Sequence, residues 1–243
     1  MAASTMITLI GIIPGAVILF TALGKYDGKF DDRKVFFSFA IGIVGGAVFG
    51  IFHVMLDTWA LISIANSVVV FVLVFAFAQI MYLVVLVNRK GLQQKHDAIF
   101  AGMSLGVGSG SFVVVYLLHW LTNAVEGSGA SLAVTDYAVM FTLSISYALV
   151  WGAAGIYAGL FSYHQDRDYI VNGVVVFSLY ALVIIPFRTG LLGSLWVWGG
   201  SLALGLLMSA VIFFYTYRQI DDHLPVEMEK QMRREARKRS RED

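Results

Sequence analysis

Seven apolar stretches alternate with short polar links along the chain. Their positions predict helices at roughly 6–23, 35–56, 59–87, 97–121, 134–162, 169–187 and 190–217. Crossing a bilayer takes about 20 residues, so the third and fifth are long enough to tilt or to extend past the hydrocarbon. The fourth stretch is the one around which the others are organised. It begins at Lys95-His96-Asp97 and carries Gly102, Gly106 and Gly110 at four-residue spacing. Residues so spaced share one face of a helix. A glycine face admits a second backbone at close range, which is how helices associate in lipid, where no hydrophobic force drives them together. The second stretch repeats the device at Gly42, Gly46 and Gly50, the fifth at Gly155 and Gly159, and the seventh at Ser201, Gly205 and Ser209. The likeness of the second and fourth stretches points to an organisation in helical pairs.

The links divide the charge unevenly. Lys25, Lys29, Arg33 and Lys34 follow the first stretch, Arg89, Lys90 and Lys95 the third, Arg167 the fifth, and Arg218 and the remaining basic residues the seventh. If the chain crosses at every stretch, these links share one side, and of 17 Lys and Arg only Arg188 opposes them. Basic loops stay cytoplasmic. The expected fold is therefore an all-α polytopic membrane protein with seven transmembrane helices, N-terminus outside and C-terminus cytoplasmic. Residues 1–217 form the transmembrane domain and 218–243 a charged cytoplasmic tail, helical in part after Pro225. The first stretch has no basic region before it and no small-residue cleavage site after it, so it reads as a retained span. Composition agrees, with 58% hydrophobic and 14% charged residues, where a soluble domain carries about a quarter charged. The expected location is the cell membrane, as a multi-pass protein, with no nucleic-acid partner. The absence of cysteine removes disulfide and thiol chemistry.

Chemistry inside a bilayer needs ionisable groups, which are costly enough there to imply function. No Asp, Glu, Lys or Arg falls well inside a predicted span. His53 and His119 lie near the outer boundary and read as hydrogen-bonded structure. A zinc site needs three or four ligands and an aspartyl dyad two carboxylates, and the sequence supplies neither set within the spans. No catalytic residue, metal or cofactor is expected. What remains inside is neutral. Gln79, Tyr82, Ser104, Tyr147 and Tyr180, with His53 and His119, form a candidate polar cavity; the competing reading is hydrogen-bonded glue between helices. In the tail, Arg233, Arg234, Arg237, Lys238 and Arg239 read as a solvated, topology-fixing cluster. The alternative is contact with anionic headgroups, at about 1 kcal/mol per basic residue near the surface, diluted here by Glu227, Glu229 and Glu235.

Ile13-Pro14, the charged linker Lys25-Tyr-Asp-Gly-Lys-Phe-Asp-Asp-Arg-Lys34 and the glycine-containing run Ala40 to Gly46 resemble the opening of the PrsW-type intramembrane proteases. Asp97-Ala-Ile-Phe-Ala-Gly-Met-Ser-Leu-Gly-Val-Gly108 resembles that superfamily's aspartate-led, glycine-rich helix. It is still more similar to the corresponding helix of the anterior-pharynx-defective scaffold subunit of gamma-secretase. That resemblance implies seven spans with the N-terminus outside, and it covers about residues 8 to 190. The catalytic motifs do not carry over. Ala78-Gln79-Ile80-Met81-Tyr82 stands where the proteases have Glu-Glu-x-x-Lys, and Val113 where they have a later glutamate. Tyr147 and Tyr180 stand at the histidine positions of the two later helices, a departure from the scaffold subunit as well. The resemblance thus implies the fold of a pseudoprotease.

The leading expectation is a non-catalytic scaffold or assembly subunit that binds other integral membrane proteins, such as a protease or an assembly complex, through its glycine-striped helices. Membrane lipids are the second expected partner. The alternatives are an intramembrane hydrolase with an unconventional site around Gln79, Tyr147, His53 and His119, and a small-solute transporter or channel lined by Gln79, Asn66, Ser104 and Tyr147.

Overall fold

A computed structural model describes residues 2–60, 66–89, 92, 95–127, 133–189 and 195–224, and the surroundings of their side chains except at 2–4, 52–60, 66–71, 121, 124–126 and 182–199. These residues form seven helices and no strand. They are α1 (Ala2–Gly24), α2 (Asp32–Ala60), α3 (Asn66–Val87), α4 (Asp97–Gly127), α5 (Val134–His164), α6 (Asp168–Thr189) and α7 (Leu195–His223).

The apolar pattern placed every helix but misplaced some ends. Trp59 and Ala60 continue α2 rather than opening α3, so α2 has 29 residues and α3 only 22. Helix α4 runs on to Gly127, and α7 continues beyond Tyr217 through Arg218 to His223. Polar residues at these ends remain helical because ends in water can satisfy their backbone groups without a special cap. The charged link between α1 and α2 turns at Gly28, whose φ of +70° suits glycine. The α5 C-terminus closes on Gln165 in the left-handed conformation, its N–H donating to the Phe161 carbonyl.

Cross-helix contacts fix the directions. Gly42 and Gly46 of α2 lie opposite Leu105 and Ser109 of α4, so these two run parallel. Gly102 and Gly106 of α4 lie opposite Gly155 and Trp151 of α5, so these run antiparallel. Gly152 meets Phe213, and His164 meets His223, making α5 and α7 parallel. Trp151 meets Phe177 and Tyr147 meets Tyr180, making α5 and α6 antiparallel. Ser162 at the end of α5 reaches Asn88 just beyond α3. Odd-numbered helices thus run one way and even-numbered helices the other, which gathers the Lys- and Arg-bearing links at one end of the bundle.

The α4–α5 pair is the axis. In the apolar windows of α4 and α5, 94% and 78% of residues are buried, against 33%, 28% and 22% in α1, α2 and α7. The outer helices turn large side chains away from the bundle, among them Phe20, Phe37, Val44 and Phe214. Among the described residues, five helices are long and apolar enough to cross a membrane. Of α3 and α6 the described parts Val72–Val87 and Asp168–Ala181 are shorter apolar helices. A helix that is apolar all round suits a lipid surrounding.

Candidate functional site: the glycine faces and the neutral interior

Helix α4 is inserted between two backbones. A Cβ on Gly102 or Gly106 would stand against the Gly155 or Trp151 carbonyl of α5, and one on Gly110 would lie 2.7 Å from the Trp151 Cβ. From the other side, Gly155 and Gly159 close on Gly102 and on Ala98–Ile99. The α2 stripe faces a different side of α4, with Gly42 and Gly46 on the Leu105 and Ser109 carbonyls and Gly50 on the Tyr116 ring. Gly205 and Ser209 of α7 are buried as well. The expectation that these stripes receive helices of other proteins is corrected at this point, because the chain's own helices occupy them. Close approach of this kind gains dispersion contacts over a long line of backbone. A further small-residue face went unread in the sequence: Gly11 and Gly15 of α1 lie against Val115 and Ser111 of α4. Their four-residue spacing was the available signal.

Trp151 ties this core together. Its backbone fills the notch at Gly106, and its ring, 1% exposed, lies 5.9 Å from Phe49 of α2 and 4.9 Å from Phe177 of α6. One residue of α5 thereby touches three helices.

Those residues of the candidate cavity whose side chains are described lie on α3, α4, α5 and α6. Tyr147 and Tyr180 meet between α5 and α6, ring centroids 5.4 Å apart and nearly perpendicular. Gln79 is buried on α3. Tyr82 is half-buried beside Ser109, with 3.5 Å between the oxygens, and its ring rests on Phe49. Ser104 donates to the Val35 carbonyl at 2.6 Å, joining α4 to α2. His119 is half-buried near the far end of α4, and the His53 side chain lies outside those described. Contacts of these residues join Tyr147 with Tyr180, Tyr82 with Ser109 and Ser104 with Val35. Ser144 donates to the Gly11 carbonyl at 2.8 Å, a further tie, between α5 and α1. The Ser146 and Tyr180 hydroxyls face one another across α5 and α6, yet neither makes a hydrogen bond of acceptable geometry, and Ser111 and Ser178 are likewise buried without a partner. Val113 is fully buried and apolar.

Most of the ionic chemistry lies at the charged end, where it holds helices together. Lys34 at the start of α2 reaches Asp97 at the start of α4, at 2.6 Å, and Asp31 at 3.5 Å. Asp97 also lies in the first turn of α4, where a negative charge suits the helix dipole. Lys25 pairs with Asp221 of α7 at 2.5 Å, and the buried Tyr26 donates to the same carboxylate at 2.9 Å. Burial, helped by the neighbouring Tyr217 and Asp221, pushes the Tyr26 phenol well above its ordinary range, so it stays a neutral donor. His164 Nε2 and His223 Nδ1 are 3.0 Å apart, with the Tyr169 hydroxyl 3.4 Å from the other His223 nitrogen. Apart from the local Lys34–Asp31 contact, the partners in these pairs are 54 to 196 positions apart, and sequence reading missed them. Among the described residues no three His, Asp or Glu gather as metal ligands. The basic cluster Arg233 to Arg239 lies outside the described residues.

These features define an all-helical protein with several helices fit to cross a membrane. No family model, curated protein or solved structure matches the chain.

Proposed function

We propose that the chain is a non-catalytic seven-span membrane protein that binds other integral membrane proteins, with its N-terminus outside and its charged end in the cytoplasm. The alternating helix directions and the gathering of the Lys- and Arg-bearing links at one end support the topology. The observation that carries the functional reading is the neutral, backbone-packed α4–α5 axis. Ser104 and Ser144 spend their hydroxyls on tying helices together, and Trp151 locks three of them. Such a core is a rigid support, and electrostatic stabilisation of a transition state would need charges or oriented dipoles around a reacting atom. Since the glycine faces are filled, a partner in this reading engages the outer sides of α1, α2 and α7 or the charged end. The pseudoprotease relationship belongs to the same proposal and rests on the motifs quoted above.

The test is photo-cross-linking in the native membrane. A photoreactive residue at Val44 or Phe214, both outward-facing, is expected to capture a second membrane protein, and photo-methionine at the fully buried Met103 to give only adducts within the chain. Protein adducts absent from every outward position on the three helices and from the charged end would refute the proposal.

One observation favours a second reading. The unpartnered hydroxyls of Ser146, Ser178 and Tyr180, close to Tyr147, suit a small polar solute or an unconventional hydrolytic site between α5 and α6. Solute flux in liposomes, or peptide cleavage, that is lost with Tyr147→Phe would move the assignment to that reading.

A further inference from the structure

Polar side chains tie α7 on two sides at its charged end. On the α1 side, Lys25 and Tyr26 meet Asp221, and the Tyr217 hydroxyl donates to the Ala22 carbonyl. On the side of α5 and α6 the tie is His223. Its Nδ1 lies 3.0 Å from His164 Nε2, and its Nε2 lies 3.4 Å from the Tyr169 hydroxyl. The first tie contains no histidine, and the second joins two. Histidine is the side chain whose ordinary charge change falls between about pH 5 and 8.

A hydrogen bond between two ring nitrogens holds one proton between them. Either ring can be the donor, and the Tyr169 hydroxyl, able to donate or accept, suits both tautomers of His223. The bond persists when neither ring or only one is charged. With both charged, every ring nitrogen is a donor, no acceptor is left, and two N–H groups confront one another. Ring contacts fix this alignment: His164 packs on Tyr163 and Tyr169, with centroids 4.5 and 5.8 Å away, and on His223 at 4.7 Å. The charged neighbours are mixed in sign. Asp166, which acts on the His164 ring, and Arg167 lie in the α5–α6 turn, Asp168 opens α6, and Arg218 and Asp222 stand on α7. Asp221 is engaged with Lys25, and on the α3 side Gln165 and Asn88 are neutral and bonded to each other. A second proton is therefore opposed chiefly by the first. Both rings are reachable from water, His164 being exposed and His223 half-buried.

We propose that His164 and His223 form a proton-operated latch on the last turn of α7, closed while at most one ring is charged and open when both are. Ile220 is fully buried, and with the α1 contacts it holds the rest of the helix in place. Leu224, 7% exposed, resists release, so acidification changes how often the turn opens and leaves the bundle intact. Helix α7 leads into the basic tail 225–243, so the latch governs how firmly the root of that tail is held.

The experiment is amide hydrogen exchange of the full chain in lipid nanodiscs, followed by mass spectrometry of peptides covering the end of α7. Wild type and variants are compared with one another at about pH 8 and again at about pH 5, on either side of the histidine range. An amide both donates and accepts, so His164→Gln keeps a partner for His223 whether or not that ring is charged. Wild type and His164→Gln should exchange alike at the higher pH. At the lower pH the wild type should exchange roughly threefold faster or more, the scale of one lost hydrogen bond. His164→Lys with His223→Lys, which places two charges there permanently, should exchange fast at both. Circular dichroism establishes that each variant is folded. Equal exchange of wild type and His164→Gln at the lower pH would overturn the proposal. So would a double-lysine variant as protected as wild type at the higher pH.

Discussion

Gly106 of α4 lies against the main-chain carbonyl of Trp151 on α5, closer than any side-chain carbon could stand. This single contact explains why the fourth apolar stretch needs its glycines, and it shows that the need arises within the chain. Gly106→Ala should therefore destabilise the isolated protein, by about 1–3 kcal/mol if the helices part enough to accept a methyl group. Gly200→Ala is the control, because a Cβ there meets nothing within 4 Å; it should be neutral or stabilise by about 0.4–1 kcal/mol. Thermal unfolding of both variants in one detergent decides the matter. Equal melting temperatures would mean that the α4–α5 contact is wrong.

The Lys34–Asp97 pair joins the first turns of α2 and α4. The lysine side chain is 36% exposed and the carboxylate 13%, so solvent weakens the attraction and the pair contributes about 1 kcal/mol or less. Lys34→Met should lower stability by that order. Exchanging the charges, Lys34→Asp with Asp97→Lys, should recover part of the loss, reduced by placing a positive charge at the α4 N-terminus. A double-mutant cycle with no coupling energy would remove the pair as a tie between the helices.

Buried hydroxyls should separate into two groups. Ser144 bonds to the Gly11 carbonyl, so Ser144→Ala is expected to cost about 1 kcal/mol, with more if the freed carbonyl finds no other partner. The Tyr180 hydroxyl is buried without a partner, so Tyr180→Phe should leave stability unchanged or raise it. A marked loss in Tyr180→Phe would reveal a partner for that oxygen and strengthen the polar-site reading.

The Tyr26 phenol supplies a pH dependence with a definite sign. Its value in the folded protein lies above the 10.0 of a free tyrosine, chiefly through burial. The folded state therefore holds this proton more tightly than the unfolded state does. The stabilisation is fully present below the unfolded value and declines as pH rises through the folded one. Melting temperature should fall as pH is raised above about 10, and fall less steeply in Tyr26→Phe. Parallel alkaline profiles for the two proteins would contradict the buried position of Tyr26.

The number, order and approximate limits of the helices were legible because apolar length and charged links carry that information directly. Gly102, Gly106 and Gly110 could be read as a packing face, but the identity of its occupant could not. The spacing of glycines on α4 is the same whether Gly155 of this chain or another protein closes on them. Tyr147 and Tyr180 were legible only as neutral polar groups of two apolar stretches, and the structure brings their rings together. Tyr82 and Ser104 could not be given their partners Ser109 and Val35 from sequence, because a rotation of α3 or α4 by one residue turns each toward a different neighbour. The pairs Lys25–Asp221 and His164–His223 were illegible for a related reason: loop ends meet only after the bundle has closed.

The central claim, a rigid membrane platform whose task is to hold another membrane protein, is tested most directly by native mass spectrometry of the protein released from its own membrane in mild detergent. The account predicts a complex of fixed stoichiometry that contains a second integral membrane protein. The chain found only by itself, with a metal ion held deep between its helices, would contradict it.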